Sequence, residues 1–316
     1  MKNKRMISII IPFYNEVEVF PFLFKSLEQL SIDLKYDLEF LFVNDGSTDE
    51  SLELVRQYSK KNTSVSFIDL SRNFGKEIAM AAGFKYAKGD AAVVIDADLQ
   101  DPPSLIIKMA ELWEQGYDDV FAVRKSRKGE SFLKRFTSYS FYRVLEKVSR
   151  VPIQKDTGDF RLLSRKAINA LNSLEETQRY TKGMFSLIGF KKIAIEYERE
   201  PRVAGKTKWN YFKLMNLAIE GITSFTTFPL RIANIMGTIF AFTSFLYMIW
   251  IIIKTLIFGE DVQGYPSLVS IILFIGGIQL ISLGIIGEYL GRIFNETKKR
   301  PLFFINEYKG LDDSDE

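Results

Sequence analysis

Two long stretches near the C-terminal end carry no charged residue, and they constrain the fold more than anything else in the chain. Ile232–Ile253 runs 22 residues (IANIMGTIFAFTSFLYMIWIII) and Ser267–Gly287 runs 21 more (SLVSIILFIGGIQLISLGIIG). Each matches the roughly 20 residues a helix needs to cross a bilayer core about 30 Å thick. A pair of helices buried in a soluble core fits neither the length nor the pairing. The link Gly259–Pro266 carries Glu260 and Asp261 but no basic residue. Arg231 precedes the pair, and Arg292, Lys298, Lys299 and Arg300 follow it. The positive-inside rule then predicts a hairpin with both chain ends in the cytoplasm. Lys254, at the far end of the first span, can snorkel to the interface.

The N-terminus does not read as a signal peptide. Met6–Phe13 is a short apolar run, broken at once by Asn15 and Glu16, and no small-residue cleavage site follows. The first 230 residues are therefore expected in the cytoplasm, tethered by the hairpin. A mean hydropathy of +0.00 beside 26% charged residues is then an average over a polar domain and an apolar anchor.

That polar part alternates short strand-like runs with helical patterns. Ile7–Pro12, Leu38–Val43, Val65–Leu70 and Ala91–Asp96 are β-branched or aromatic runs, and helical patterns lie near Val17–Leu34, Asp49–Lys60 and Lys76–Ala87. The alternation implies βαβ crossovers and a mainly parallel sheet buried on both faces. In such sheets ligands bind beyond the carboxyl ends of the strands. The polar motifs sit there. PFYNE (Pro12–Glu16) follows the first run, NDGSTD (Asn44–Asp49) the second, SRNFGK (Ser71–Lys76) the third, and DADLQDPP (Asp96–Pro103) closes the fourth.

Composition removes several chemistries. The chain has no histidine and no cysteine, so it has no imidazole base, no thiolate nucleophile, no disulfide and no Cys/His zinc site. Acid–base work falls to carboxylates, Lys or Tyr, and any metal must sit on oxygen ligands, which favours Mg²⁺ or Mn²⁺. A formal charge of +3, from 42 Lys+Arg against 39 Asp+Glu, is too small to argue for a nucleic-acid partner. Neither GxxxxGK[ST] nor a GxGxxG after the first strand is present, which argues against a P-loop NTPase or a dinucleotide oxidoreductase.

The acidic strand end is the strongest chemical signal. Asp96 and Asp98 are two residues apart, with Gln100 in the same phase, and an extended strand points alternate side chains the same way. Carboxylates converging at a sheet edge repel unless something positive sits between them, and a divalent cation shared with substrate phosphates fits. A solvated turn closing at Pro102–Pro103 is the plainer alternative. Asp45 can accept from a nucleobase N–H or a ribose hydroxyl, although Asp-Gly is also ordinary turn chemistry.

PFYNE, VNDGSTD, SRNFGK and DADLQDPP, in this order and spacing, resemble the donor-binding half of a family 2 glycosyltransferase with the GT-A fold. DTGDFRLLSRKA (Asp156–Ala167), REPRVAGKTKWNYFKL (Arg199–Leu214) and the C-terminal hairpin are similar to the polyprenyl-phosphate glycosyltransferases, the group of bactoprenol glucosyltransferases and dolichol-phosphate mannose synthases. The resemblance covers nearly the whole chain. It implies a GT-A domain over 1–205, a Rossmann-like α/β unit with a mainly parallel sheet. Juxtamembrane amphipathic helices over 206–231, two transmembrane helices over 232–290 and a cytoplasmic tail over 291–316 would follow. By the same resemblance Pro12, Tyr14 and Glu16 hold the nucleotide base, Asp45 binds base or ribose, and Lys76 lies in a loop closing over the base. Asp96, Asp98 and Gln100 match the metal and diphosphate motif, with Asp98 central, and Asp159 matches the candidate catalytic carboxylate. A structural partnership with Arg161 is the plainer reading of Asp159. Arg124, Arg127, Arg135 and Ser138 fall where related enzymes bind the lipid phosphate. Arg202 and Lys208, beside Trp209, fall in a basic loop before the membrane.

The expected reaction moves one hexose from a nucleotide sugar, UDP-glucose first, to undecaprenyl or another polyprenyl phosphate. UDP-N-acetylglucosamine and GDP-mannose are alternative donors. The acceptor phosphate has a second pKa of about 6 and arrives largely ionised, so the missing histidine is no obstacle. A glycan-elongating synthase would need more than two spans, and a nucleotide-sugar-binding scaffold would not need acceptor-side motifs. A plasma-membrane homo-oligomer, with a tetramer as one option, completes the expectation. Trp209–Arg231 reads as an interfacial amphipathic helix, with an ordinary core helix as the alternative, and Lys134, Arg135, Arg143 and Lys147 read equally as a basic face toward anionic lipid or as a solvated helix face.

Overall fold

The computed structural model describes residues 4–125, 157–177, 179, 181–198, 228–258 and 264–311. The elements in chain order are β1 (Met6–Phe13), α1 (Phe20–Asp33), β2 (Asp37–Asn44), α2 (Ser51–Lys61), β3 (Val65–Leu70), α3 (Lys76–Tyr86), β4 (Ala91–Val94) and α4 (Leu105–Glu114). There follow β5 (Asp119–Arg124), β6 (Thr157–Ser164), α5 (Arg165–Asn172), α6 (Thr181–Leu187), β7 (Lys192–Tyr197), α7 (Phe228–Phe258), α8 (Tyr265–Thr297) and β8 (Ile305–Lys309). The eight strands form one sheet in the order β7-β5-β6-β4-β1-β2-β3-β8.

Strand residues alternate between two cores, one on each face. Ile7, Ile9, Ile11, Phe40 and Phe42 face a layer built from α1, α2 and α4. Ile10, Leu41 and Val43 face a layer built from α3, α5 and α6. Helix α1 begins with Pro21 in its first turn, where the missing N–H costs nothing. Its buried residues Phe20, Leu23, Leu27 and Leu30 recur at the three- and four-residue spacing of one helical face. Helix α5 is capped by Ser164, whose hydroxyl accepts from the Ala167 N–H at 3.2 Å. Helix α3 lies closest to the sheet: a Cβ at Gly83 would fall 2.2 Å from a methyl carbon of Ile10, so glycine is what allows the approach.

Topology decides where a site can form. Strands β1, β2 and β3 advance to one side while β4 pairs with β1 on the other, in parallel. The crevice between the carboxyl ends of β1 and β4 is therefore a topological switch point. Strand β6 runs antiparallel to β4, with Arg161 opposite Val94, so its first residues reach the same edge. Strands β5 and β7, parallel to each other, deliver Arg124 and Tyr197 there as a pair.

Three expectations change. Strand β4 ends at Val94 and the chain turns through Leu99, which takes a left-handed φ of 55°; Asp96 and Asp98 therefore follow the strand and do not alternate along it. The segment after 291 is not all tail, since β8 pairs antiparallel with β3. The hairpin helices extend past the uncharged runs at both ends, to 228–258 and 265–297. Their apolar side chains are outward-facing, among them Phe242, Leu246, Leu280 and Leu283, and Phe240 meets Phe274 edge-on at 5.1 Å. Among the described residues, Phe274–Thr297 is the one helical stretch long and apolar enough to cross a membrane, and Ala233–Tyr247 is apolar but shorter. The expected amphipathic helix over 209–231 and the basic face over 134–147 lie outside the described residues, apart from 228–231, which open α7.

Candidate active site

The loops after β1 and β2 are locked to each other by side chains from their own motifs. Asn15, in a left-handed conformation at φ 54°, accepts from the Thr48 N–H at 2.8 Å, and its own N–H donates to Ser47 at 3.0 Å. The Glu16 N–H donates to Ser51 at 2.9 Å, which ties PFYNE to the start of α2. Pro12 is buried in β1, with Tyr14 and Glu16 half-buried just beyond it. Gly46 sits at φ 66°, and a Cβ there would lie 2.5 Å from the Arg72 and Asn73 backbone. Glycine thus lets the loops after β2 and β3 touch.

Asp45 is 4% exposed. Its carboxylate accepts from the Phe74 N–H at 2.7 Å and from the Gly75 N–H at 3.0 Å. Burial pushes its pKa up, against these two N–H donors and Arg72. Asp45 therefore shapes the SRNFGK loop directly, whatever else it touches.

A cation from the protein itself sits between two acidic groups of this edge, Asp96 and Asp159. Lys76 opens α3, and its Nζ lies 2.6 Å from Asp96 Oδ1 and 2.7 Å from Asp159 Oδ2. Asp159 reaches that point because β6 is antiparallel to β4. Burial opposes the ammonium charge, but Asp159 and Asp96 outweigh it and hold Lys76 firmly protonated. Arg161, the partner of Asp159 in the plainer reading, pairs with Asp119 at 3.1 Å, buried at 0% exposure and stacked 3.8 Å from the Phe185 ring centre.

Asp98 is 7% exposed and accepts from the Gln100 N–H at 3.2 Å. Among the described residues no three acidic side chains gather into a ready cage for a metal. Two carboxylates and an amide on one sheet edge fit a cation that takes its other ligands from phosphate and water. Arg124 stands on the same edge, opposite Tyr197 in the β5–β7 ladder; the Tyr197 hydroxyl donates to Asp101, and Arg124 Nη2 lies 3.7 Å from where a Cβ on Gly158 would be. Burial and Asp101 push the Tyr197 hydroxyl up to about 12. Arg127, Arg135, Ser138, Arg202 and Lys208 lie outside the described residues.

Two further groups belong to this edge. Glu77, beside Lys76, accepts from the Thr181 N–H at 3.1 Å and from the Thr181 hydroxyl; burial and the nearby Asp159 raise its pKa to about 7. Asp69, the one acidic residue in the apolar run VSFIDL, accepts from Asn44 at 2.7 Å and from Asn306 at 2.8 Å. A lone carboxylate in such a run was a readable signal for Asp69. Asn306 carried none.

Residues 8–171 match glycosyl transferase family 2, and residues 228–293 match the GtrB C-terminal hairpin. The chain belongs to glycosyl transferase family 2. It is 46% identical over 306 residues to an uncharacterized glycosyltransferase of Synechocystis, covering 97% of this chain and 96% of the relative. It is 44% identical over 303 residues to a prophage bactoprenol glucosyl transferase homolog of Escherichia coli, covering 96% and 99%. The bactoprenol glucosyl transferase of Shigella phage SfV matches at 44% with the same coverage. Among solved structures, a Mycobacterium tuberculosis glucosyl-3-phosphoglycerate synthase bound to Mn²⁺, UDP and its product overlays 69% of this chain and 78% of its own, at 15% identity and TM-score 0.44. The GT-A sheet of a family 2 glycosyltransferase thus carries the Lys76–Asp96–Asp159 triangle at its switch point.

Proposed function

We propose that this chain is an inverting hexosyltransferase that moves glucose from UDP-glucose to a polyprenyl phosphate at the cytoplasmic face of the cell membrane. The observation that carries the proposal is the near-full-length similarity, hairpin included, to proteins named bactoprenol glucosyl transferases. The site supports it on physical grounds. A nucleotide sugar departs as a diphosphate whose developing charge needs positive groups aimed at it, and an ionised phosphate acceptor needs no strong base.

In this reading Pro12, Tyr14, Glu16 and Asp45 frame the nucleotide, and Arg202 and Lys208 add charge over the diphosphate. Asp96, Asp98 and Gln100 would hold Mg²⁺ or Mn²⁺, which when bound neutralises charge on the leaving diphosphate. Asp159 orients the acceptor or accepts its residual proton. Lys76 holds Asp159 and Asp96 together before substrates arrive, its charge offsetting their mutual repulsion. Arg124, with Arg127, Arg135 and Ser138, receives the acceptor phosphate.

The domain over 1–205 does the chemistry, 206–231 lies along the interface, and 232–290 spans the bilayer twice, with both ends cytoplasmic. The working form is a homo-oligomer, and its product serves as a sugar donor for the cell envelope. The test is a panel of nucleotide sugars with undecaprenyl phosphate and Mg²⁺ or Mn²⁺, read by mass spectrometry of the lipid. One hexose per lipid is expected from UDP-glucose, with no product from Asp98→Ala. Unchanged product from that variant, or chains that lengthen with time, would sink the proposal.

A further inference from the structure

The strand that follows the hairpin carries a register slip at one residue. In the β3–β8 ladder Asp69 faces Glu307 and Leu70 faces Ile305, which leaves Asn306 as an extra residue between the two pairs. A bulge of this kind re-aims a side chain and bends the edge. Asn306, though exposed to solvent, donates through Nδ2 to Asp69 Oδ2 at 2.8 Å.

That bond is the first of a chain that crosses the sheet edge. Asn44 Nδ2 donates to the other Asp69 oxygen at 2.7 Å, and the Ser47 N–H donates to Asn44 Oδ1 at 3.0 Å. The Asn15 N–H then donates to the Ser47 hydroxyl at 3.0 Å. Asn44 and Asp69 are 1% and 5% exposed, so water competes little for these bonds. Each amide flanking Asp69 is held in one orientation by its charged acceptor. Five residues from β8, β3, β2 and the loops after β2 and β1 are thereby placed in series. The same C-terminal segment is fastened on both sides of Asn306. The Ser71 N–H donates to the Phe304 carbonyl at 2.9 Å, and Arg56 pairs with Glu307 at 2.5 Å.

We propose that Asn306 is a positioning residue of the nucleotide-binding edge, acting through Asp69 and Asn44 on the Gly46–Thr48 turn and on Asn15. The segment beyond the hairpin thus sets the fit of the donor site. The inference rests on the reading that PFYNE and NDGSTD frame the nucleotide. It assigns to β8 a part in donor binding beyond closing the sheet.

Binding of UDP to the full-length protein in detergent, by titration calorimetry, tests it together with donor KM and kcat. Asn306→Ala should weaken UDP binding and raise donor KM about two- to tenfold, the range one net hydrogen bond is worth, with kcat little changed. Asn306→Asp should weaken binding further, because two carboxylates would then face each other. The double variant Asn306→Asp with Asp69→Asn restores one donor and one acceptor at that contact, and should recover binding. Glu307→Ala, which removes the neighbouring ion pair, should lower the melting temperature and leave the UDP affinity unchanged. Equal losses in Asn306→Ala and Glu307→Ala, or no recovery in the double variant, would reduce Asn306 to a structural role and overturn the inference. A wild-type protein that binds no nucleotide would instead overturn the underlying reading of the site. Should Asn306→Ala fail to fold, the comparison of Asn306→Asp with its double variant still decides.

Discussion

Lys76 Nζ lies 2.7 Å from Asp159 Oδ2, joining the first turn of α3 to the first residues of β6 across 83 positions of sequence. The same ammonium is 2.6 Å from Asp96. One cation therefore compensates two carboxylates that the topology forces to one edge. Lys76→Met would leave those carboxylates facing each other uncompensated. Turnover should fall by about 10²-fold, the usual loss when one preorganised charge is removed from a site of this kind. Asp159, its side chain only 14% exposed, would lose its compensating charge, so the melting temperature should fall as well. Initial rates with UDP-glucose and a thermal melt of the same preparation check both halves of the prediction. A rate within twofold of wild type would remove Lys76 from the working site.

Asp45 offers a separate test, because its carboxylate serves the backbone of another loop. Asp45→Ala strips the acceptor from the Phe74 and Gly75 N–H groups. Leaving such partly buried donors unmet costs about 1–3 kcal/mol. Chemical denaturation should show that loss, and UDP affinity should fall with it. Asp45→Asn keeps one acceptor and should lie between. A variant as stable as wild type would mean the loop holds itself.

These relationships explain how much could be read beforehand. Strands β1 to β3 and helices α1 to α3 follow from local periodicity, and the four polar motifs at their ends follow from the rule on where parallel sheets bind ligands. Asp96, Asp98 and Asp159 were named, but the Lys76 bridge was not. It depends on β6 lying antiparallel beside β4, a pairing between distant segments that no local pattern records. The end of β4 at Val94, two residues short of Asp96, has the same origin: pairing partners decide where a strand stops. Strand β8 was missed because INEYK is short and polar and lies beyond the hairpin. Helices α7 and α8 follow from their two long uncharged apolar runs.

Glu77 predicts a pH dependence that runs against the usual one for a carboxylate. Burial and Asp159 raise its pKa from 4.5 to about 7. The folded protein therefore holds this proton more tightly than the unfolded chain does. Glu77 thus contributes a loss of stability as pH rises from about 4.5 to about 7, its sign set by the extra proton in the folded state. Glu77→Gln keeps an acceptor for Thr181 and removes the titration. Denaturation midpoints measured at pH 5, 6 and 7 should fall less steeply in Glu77→Gln than in wild type. Parallel profiles would show that Glu77 stays ionised throughout.

The Arg161–Asp119 pair separates stability from catalysis. Arg161 has an exposure of 0% and Asp119 one of 2%, and the guanidinium lies 3.8 Å from the Phe185 ring centre. Burial pushes the Asp119 carboxyl up even against Arg161, and it draws the Arg161 guanidinium down. Removing one partner leaves the other charged and dry, which costs about 3–5 kcal/mol. Asp119→Ala and Arg161→Ala should each destabilise by that order. The double change Asp119→Leu with Arg161→Met should lose much less, since a filled apolar contact often replaces a buried pair without penalty. Because Asp159 takes its partner from Lys76, the double variant should also keep most of its turnover. Urea denaturation of the three variants, with initial rates on the double variant, decides the matter. A double variant that folds well but loses turnover would place Arg161 among the residues that orient Asp159, two positions away on β6.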